Sequence, residues 1–196
     1  MFVNHLPYVS QLERRSLASI DLVVIHCTEL PDLATARVYG ERIHYPDSGT
    51  GNCGHYYIGQ DGRVEEWAPP DRIAHHVRAY NDRSIGIELD NPGRYPNWFN
   101  SGSQTMDHTY SKVQLDNLVR LLHLLRNAIP AICRVSGHDM LDLERVQASD
   151  KPELKVRRKV DPGPLFPWDK VVAATGLELM KPGRPKLEVV SAHPPR

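Results

Sequence analysis

The segment DLVVIH at residues 21–26 constrains this chain more than any other, because four consecutive apolar residues lead directly into a histidine. Short continuous apolar runs rich in Val and Ile are typical of strands buried on both faces of a sheet. We therefore expect a central strand that carries His26 at its end. Residues 84–89 alternate apolar with small or polar side chains, and they predict a second strand with Glu88 near its end.

Helices and shorter strands are expected around these two segments. Leucines at helical spacing behind the capping residue Ser111 predict a helix that runs to about Asn127. The pair Asp61-Gly62 between two β-rich runs predicts a hairpin. Further elements are expected as a helix at 32–43, a strand at 131–135 and a helix from Pro167 to about Gly176. Strands interleaved with helices in this order indicate an α/β fold.

The chain is expected to form one domain with two terminal segments. Residues 1–19 are polar and irregular, and we expect an arm packed on the domain, which itself spans 20–176. Residues 177–196 are rich in proline and poor in apolar side chains, which predicts a flexible tail. Within the domain, residues 91–110 lack periodicity and predict a long loop of the kind that is often functional. Residues 139–160 are charged and show no clear pattern.

Charge and apolar content argue against several classes of function. Lys and Arg together number 24, as do Asp and Glu, so no global field attracts nucleic acid or an anionic membrane. No apolar stretch is long enough to span a bilayer, and the first residues do not resemble a secretory signal. Three cysteines do not make a disulfide framework and are consistent with reduced thiols. We therefore expect a cytoplasmic protein with no nucleic-acid partner and no membrane span.

Two histidines and one aspartate occupy positions that suit a catalytic metal site. His26 ends one buried strand, His138 follows another, and Asp161 opens a proline-fixed turn. Two neutral imidazoles and a carboxylate can hold zinc and leave its fourth position for water. Spacing alone does not establish the site, because a chain with ten histidines offers many such triples. The alternatives are a hydrogen-bonded strand-end histidine, a turn histidine and an Asp-Pro turn opener.

A carboxylate and an ammonium group complete the candidates. Glu88 lies at the edge of an apolar strand, where a raised pKa would suit a general base. A salt-bridged strand terminus is the alternative. Lys159 lies two residues before Asp161 and could place a positive charge on a developing oxyanion if Asp161 binds a metal. The alternative for Lys159 is one member of the solvated run at 155–159.

Several other residues fit a structural role as well as a functional one. His75 and His76 are adjacent, so in an extended segment only one of them faces a cleft. Cys27 follows His26 in the expected strand and should point away from it as a packed thiol. The glycine-rich segment 49–54 lacks the lysine and hydroxyl residue of a phosphate-binding loop, and we expect it to form a flexible rim.

Six segments, taken in order, resemble the zinc amidase family that includes AmpD, related phage amidases and the peptidoglycan recognition proteins. They are VVIH at 23–26, GHYYI at 54–58 with DGRV at 61–64, AHH at 74–76, RSIGIE at 83–88, SGH at 136–138 and RKVDPGP at 158–164. Each segment is weak alone, but the ordered set is specific and extends over about residues 20–175. The DPGP segment is closest to the AmpD-like branch.

The resemblance implies a single α/β domain, with a mixed central β-sheet flanked by helices and zinc in a surface groove. It implies His26, His138 and Asp161 as ligands of Zn²⁺, Glu88 as the general base and Lys159 as the residue that stabilises the oxyanion. His76 matches a family Trp-His-Ala-Gly pattern whose other residues differ here, so its role stays open. The implied reaction is hydrolysis of the amide bond between N-acetylmuramic acid and L-alanine in peptidoglycan fragments.

The expected partner is a soluble anhydromuropeptide of cell-wall recycling. Arg78, Arg83, Arg157 and Arg158 are candidates to pair with stem-peptide carboxylates, although each is equally well explained as a surface arginine. The alternatives are a wall-acting autolysin or endolysin, a non-catalytic peptidoglycan-binding module, and a zinc hydrolase of other substrates. The sequence leaves the oligomeric state and the third stem residue open.

Overall fold

The computed structural model describes residues 1–180, and nine strands and four α-helices lie within that range. The strands are β1 (Phe2–Val3), β2 (Leu22–Cys27), β3 (Tyr56–Ile58), β4 (Val64–Glu66), β5 (Ser84–Leu89), β6 (Arg134–Gly137), β7 (Arg145–Gln147), β8 (Lys155–Arg157) and β9 (Glu178–Leu179). The helices are α1 (Leu33–Gly40), α2 (Lys112–Ala128), α3 (His138–Leu141) and α4 (Trp168–Thr175). Among residues 1–180, no helix combines the length and the hydrophobicity that a membrane span requires.

Strand β2 lies in the interior of the main sheet, next to the middle strand β5. Over the described residues its strand order is β1-β4-β3-β5-β2-β6-β9, and β7 pairs with β8 in a separate hairpin. β5 and β6 both run parallel to β2, whereas β3 and β4 form the antiparallel hairpin predicted around Asp61-Gly62. The predicted fold class, a single α/β domain with a mixed central sheet flanked by helices, is confirmed.

The alternation of side chains along β2 gives the sheet two different faces. The odd-numbered residues of β2 point into the main core, which they share with side chains of α2 and α4. Cys27 belongs to this set and is buried, as predicted. Leu22 and Val24 pack in a separate small cluster on the other face. Because strand side chains alternate, His26 shares the face of Leu22 and Val24, which α2 and α4 do not cover.

Helix α2 forms where the leucine pattern and its cap predict it. The Ser111 hydroxyl accepts a hydrogen bond from the backbone N–H of Gln114, which satisfies one of the free donors at the helix start. Four leucines of α2 are buried in the main core. The buried side chain of Gln114 donates to the carbonyls of Ile58 and Asp90, so α2 is tied to the ends of the central strands as well as packed on them.

The chain ends of the domain differ in part from the expectation. The arm at 1–19 packs on the domain through buried side chains such as Leu6 and Tyr8, and its strand β1 pairs with β4. The fold extends past the predicted boundary at 176, because Leu177 is buried in the main core and β9 pairs with β6. The rest of the predicted tail, 181–196, lies outside the described residues.

Two internal segments also differ from what the sequence predicted. The strand expected at 131–135 lies at 134–137 instead, because the chain is still turning after α2 where the buried Ile132 fills the core. The patternless stretch 139–160 contains most of α3 and the hairpin of β7 and β8. Each strand of this hairpin has only three residues with a single valine at its centre, so the alternation is too short to predict a strand from the sequence.

Candidate metal centre

The ends of β2 and β6 and the segment after β8 bring His26, His138 and Asp161 together. Ile25 in β2 pairs with Gly137 in β6, so the residues that follow them, His26 and His138, emerge side by side. Asp161 follows β8, and its carbonyl accepts a hydrogen bond from the backbone N–H of Asp139 beside His138. All three side chains are buried. The positions that the sequence singled out therefore form one cluster, although they are far apart in the chain.

The donor atoms of this cluster point at one another. The Nδ1 atoms of His26 and His138 lie 3.0 Å apart, and Oδ2 of Asp161 lies 3.0 Å from the first and 3.2 Å from the second. Three lone-pair-bearing atoms at such distances repel one another unless a cation or a proton lies between them. Within residues 1–180, His138 Nε2 and Asp161 Oδ1 are also buried without any hydrogen-bond partner. The three residues could hold a metal ion.

The protonation states of the cluster suit metal binding. Burial lowers the pKa of His138, which favours the neutral imidazole. Burial alone would raise the pKa of Asp161, but the nearby His138, His26 and Lys159 hold it well below its usual range. The cluster thus offers a neutral imidazole and a carboxylate, the forms in which these side chains bind metals.

Glu88 lies beside the cluster on the same face of the sheet. It is the register partner of His26 across the parallel pair of β2 and β5. Its side chain faces the groove next to the cluster, and a side chain at Gly54 would come within 2.9 Å of its Cγ. Burial raises the pKa of Glu88 above its usual value. The direction of this pKa shift agrees with the one predicted for a carboxylate at the edge of an apolar strand.

Lys159 reaches the same groove from the segment that follows β8. Its positive charge acts on both Asp161 and Glu88, whose pKa values it lowers. Lys155, four residues earlier, is exposed and lies outside the groove. The run at 155–159 is therefore not uniformly solvated. The structure brings all five predicted site residues to one place, and their chemical roles stay predictions.

A groove of about 440 Å³ runs over the cluster and continues between aromatic side chains. Tyr45 lines it, as do Trp98 and Phe99 of the 91–110 loop. Of the four candidate arginines, Arg78 and Arg158 line the groove. Both of these also pair with Glu144. The other two lie outside the groove: Arg83 pairs with Asp21, and Arg157 donates to the carbonyls of Asp139 and Asp142.

A buried ion pair that the sequence did not predict lies next to the site. Arg94 of the 91–110 loop donates to Glu29 through Nε at 2.7 Å and through Nη2 at 2.8 Å. Its guanidinium also donates to the carbonyls of Arg157 and Arg158, directly before Lys159. Glu29 has a left-handed backbone with φ of 48°. No local pattern signals this pair, because its partners are 65 residues apart and lie in irregular segments.

The two adjacent histidines play different structural parts. His76 is close to His26, with 3.0 Å between His76 Nδ1 and His26 Nε2. Burial, followed by the charge of neighbouring His26, holds the pKa of His76 well below its ordinary value. His75 instead faces the rim, where its ring contacts Tyr45 and its Nε2 lies 3.3 Å from Thr50 Oγ1. The prediction that only one of the two would face the cleft is wrong, because both line the groove.

Comparison with known proteins agrees with this architecture. The family described as N-acetylmuramoyl-L-alanine amidase matches residues 16–164. The 1,6-anhydro-N-acetylmuramyl-L-alanine amidase AmpD of Enterobacter cloacae is 30% identical over 122 residues, which are 58% of this chain and 51% of that protein. The chain thus spans about half the length of the curated relatives it matches.

Solved structures share the fold at low sequence identity. The N-acetylmuramoyl-L-alanine amidase LysC from Clostridium intestinale URNW superposes with a TM-score of 0.64 at 20% identity, covering 90% of this chain and 97% of LysC. A selenomethionine derivative of AmpD gives a TM-score of 0.62 at 22% identity, covering 88% of this chain and 93% of AmpD. The family match extends over most of the chain, and this protein belongs to the N-acetylmuramoyl-L-alanine amidase family.

Proposed function

We propose that this protein is a zinc-dependent amidase that hydrolyses the bond between N-acetylmuramic acid and L-alanine in peptidoglycan fragments. The observation that carries the proposal is the convergence of His26, His138 and Asp161 beside the carboxylate of Glu88 on an open groove. Membership of the amidase family and similarity to AmpD, whose name specifies the 1,6-anhydro substrate, support the substrate class.

Zinc is the metal that the donor set fits best. Two imidazole nitrogens and one carboxylate oxygen form a three-ligand set typical of catalytic zinc. Ligands about 2.1 Å from a tetrahedral zinc ion lie roughly 3.4 Å apart, and the three observed separations of 3.0 to 3.2 Å are close to that spacing. When bound, zinc would polarise the scissile carbonyl and lower the pKa of water at its open position.

The chain's own residues supply the proton transfers and the charge stabilisation. Glu88, whose pKa is raised by burial, accepts a proton from the attacking water through its carboxylate. The water oxygen forms a bond to the lactyl carbonyl carbon, and the bond from that carbon to nitrogen breaks. Glu88 then returns the proton to the L-alanine nitrogen as it leaves. The Lys159 ammonium stabilises the negative charge that develops on the carbonyl oxygen.

The physiological form of the substrate separates the remaining alternatives. A soluble anhydromuropeptide would indicate a recycling enzyme, and the cytoplasmic location stays a prediction from the sequence. An intact wall substrate would indicate an autolysin or endolysin. A non-catalytic binding module is disfavoured because Glu88 and Lys159 both line the groove beside the three donor residues.

The decisive experiment measures amide cleavage of a purified anhydromuropeptide by mass spectrometry, with and without a zinc chelator. We expect release of free stem peptide that stops on chelation and returns when zinc is added. Intact sacculi form the second arm of the experiment. Cleavage of sacculi alone would reassign the protein as a wall-acting amidase. A folded, zinc-loaded sample that cleaves neither substrate would show that the proposed activity is wrong.

Replacing Lys159 by Met is expected to lower kcat by about 10²- to 10³-fold, the usual cost of removing one group that stabilises an oxyanion. Zinc content should not change, because Lys159 is not among the three clustered donors. Lys155→Met is the matched control, since Lys155 is exposed and lies outside the groove. Steady-state kinetics with metal analysis distinguish the two variants. Equal activity in both would remove Lys159 from the mechanism.

A further inference from the structure

A chain of hydrogen bonds leads away from the metal centre, beginning at the Nε2 atom of His26. The Nε2 atom of His26 lies 3.0 Å from Nδ1 of His76. The Nε2 atom of His76 lies 3.2 Å from the hydroxyl oxygen of Ser84. The Ser84 hydroxyl in turn donates to the backbone carbonyl of Tyr80 at 2.7 Å. Ser84 is fully buried, so no solvent competes at this end of the chain of bonds.

The donor and acceptor of each hydrogen bond in this chain follow from its final acceptor, the backbone carbonyl of Tyr80. A carbonyl can only accept, so the hydroxyl proton of Ser84 points at Tyr80, and Ser84 Oγ must accept a proton from Nε2 of His76. A neutral imidazole with its proton on Nε2 has its lone pair on Nδ1. That lone pair accepts from the Nε2–H of His26. The lone pair of His26 is then on Nδ1, the atom that faces the other two donors of the metal centre.

The surrounding backbone fixes the place of the His76 ring. A side chain at Gly86 would come within 2.7 Å of the ring atoms Cγ and Nδ1, so the ring occupies space that only glycine leaves free. Asn81 Oδ1 accepts hydrogen bonds from the backbone N–H groups of His76 and Val77, which holds the backbone of this segment. The contact between His76 and His26 is thus set by the fold.

We propose that His76 is a positioning residue that fixes the tautomer and ring orientation of His26, so that His26 presents Nδ1 to the metal. A metal-binding histidine usually donates its second N–H to a carboxylate, a carbonyl or water, and such partners strengthen metal binding. In this protein the imidazole of His76 is the acceptor, and Ser84 orients that imidazole. The inference rests on the proposed zinc centre and is independent of which amide the protein cleaves.

The test compares zinc affinity among matched variants by competition with a chromogenic chelator. His76→Leu fills the space but offers no acceptor, and we expect zinc affinity to fall about 10- to 100-fold. His76→Asn places an amide oxygen near the position of Nδ1 and should retain most of the affinity. His75→Leu changes the neighbouring histidine, which contacts the rim and not His26, and should leave zinc affinity unchanged.

Each outcome bears on a separate statement. Wild-type affinity in His76→Leu, or equal losses in the Leu and Asn variants, would overturn the positioning role. A wild-type protein that binds no zinc would overturn the metal centre itself and, with it, this inference. Because His76→Leu could fail to fold, ¹⁵N NMR of the zinc-loaded wild-type protein provides an independent test. We expect both His26 and His76 to carry their proton on Nε2. The opposite tautomer of either ring would contradict the proposed chain of hydrogen bonds from His26 through His76 to Ser84.

Discussion

Replacing Glu88 by Gln should lower kcat by about 10²- to 10⁴-fold, the range that general acid–base catalysis contributes. Gln preserves the size of the side chain but cannot take a proton from water or return it to the leaving nitrogen. Zinc should stay bound, because Glu88 is not among the three clustered donors. The measurement is the single-turnover rate on the anhydromuropeptide, together with the zinc content of each sample.

Glu178→Gln provides the control for this change. Glu178 is exposed in β9, outside the groove, and the same loss of a carboxylate there should leave turnover unchanged. If Glu88→Gln keeps wild-type turnover, another group accepts the proton and the proposed mechanism is wrong. If Glu88→Gln loses both zinc and activity, Glu88 supports the metal centre, and its role as a base is not supported.

Replacing Arg94 by Met should destabilise the protein by about 3–5 kcal/mol, the cost of breaking a buried ion pair by removing one partner. The Arg94 and Glu29 side chains are 1% and 8% exposed, so the variant would leave the Glu29 carboxylate buried without its counter-charge. It would also leave the carbonyls of Arg157 and Arg158 without their donor. The free energy of unfolding in denaturant measures this effect.

Two further variants make the test specific. The double variant Arg94→Met with Glu29→Met removes both charges, and we expect it to recover a large part of the lost stability. Arg83→Met is the matched control, because Arg83 pairs with Asp21 at 36% and 26% side-chain exposure, where an ion pair contributes only about 0–1 kcal/mol. Equal losses in the Arg94 and Arg83 variants would show that burial of the first pair is energetically unimportant.

The elements that the sequence predicted well are those with a strong local pattern. Strand β5 has the predicted bounds, and helix α2 begins directly after its predicted cap at Ser111. Strands β1 and β9 have only two residues each and exist because a longer strand offers them an edge. No window of sequence contains that information, since the partners of β1 are more than 60 residues away.

The candidate site likewise depends on contacts between distant segments, which no local sequence pattern contains. His26 and His138 could each be placed at a strand end from local pattern, but their proximity depends on the parallel register of β2 with β6. From the residues alone, the three donors were one triple among many, and only the ordered resemblance to a family singled them out. The partner of His76 and the pairing of Arg94 with Glu29 required the folded chain, because each joins segments with no shared motif.

The edge position of β9 limits how far the protein can be shortened. The backbone N–H groups of Glu178 and Met180 donate to the carbonyls of Cys133 and Val135, which covers the outer side of β6. A version that stopped at Gly176 would expose this edge of β6, the strand that leads directly into His138. Open strand edges pair with other molecules. A minimal version designed from composition alone would therefore be expected to self-associate, and one that keeps residues through Met180 would not expose that edge.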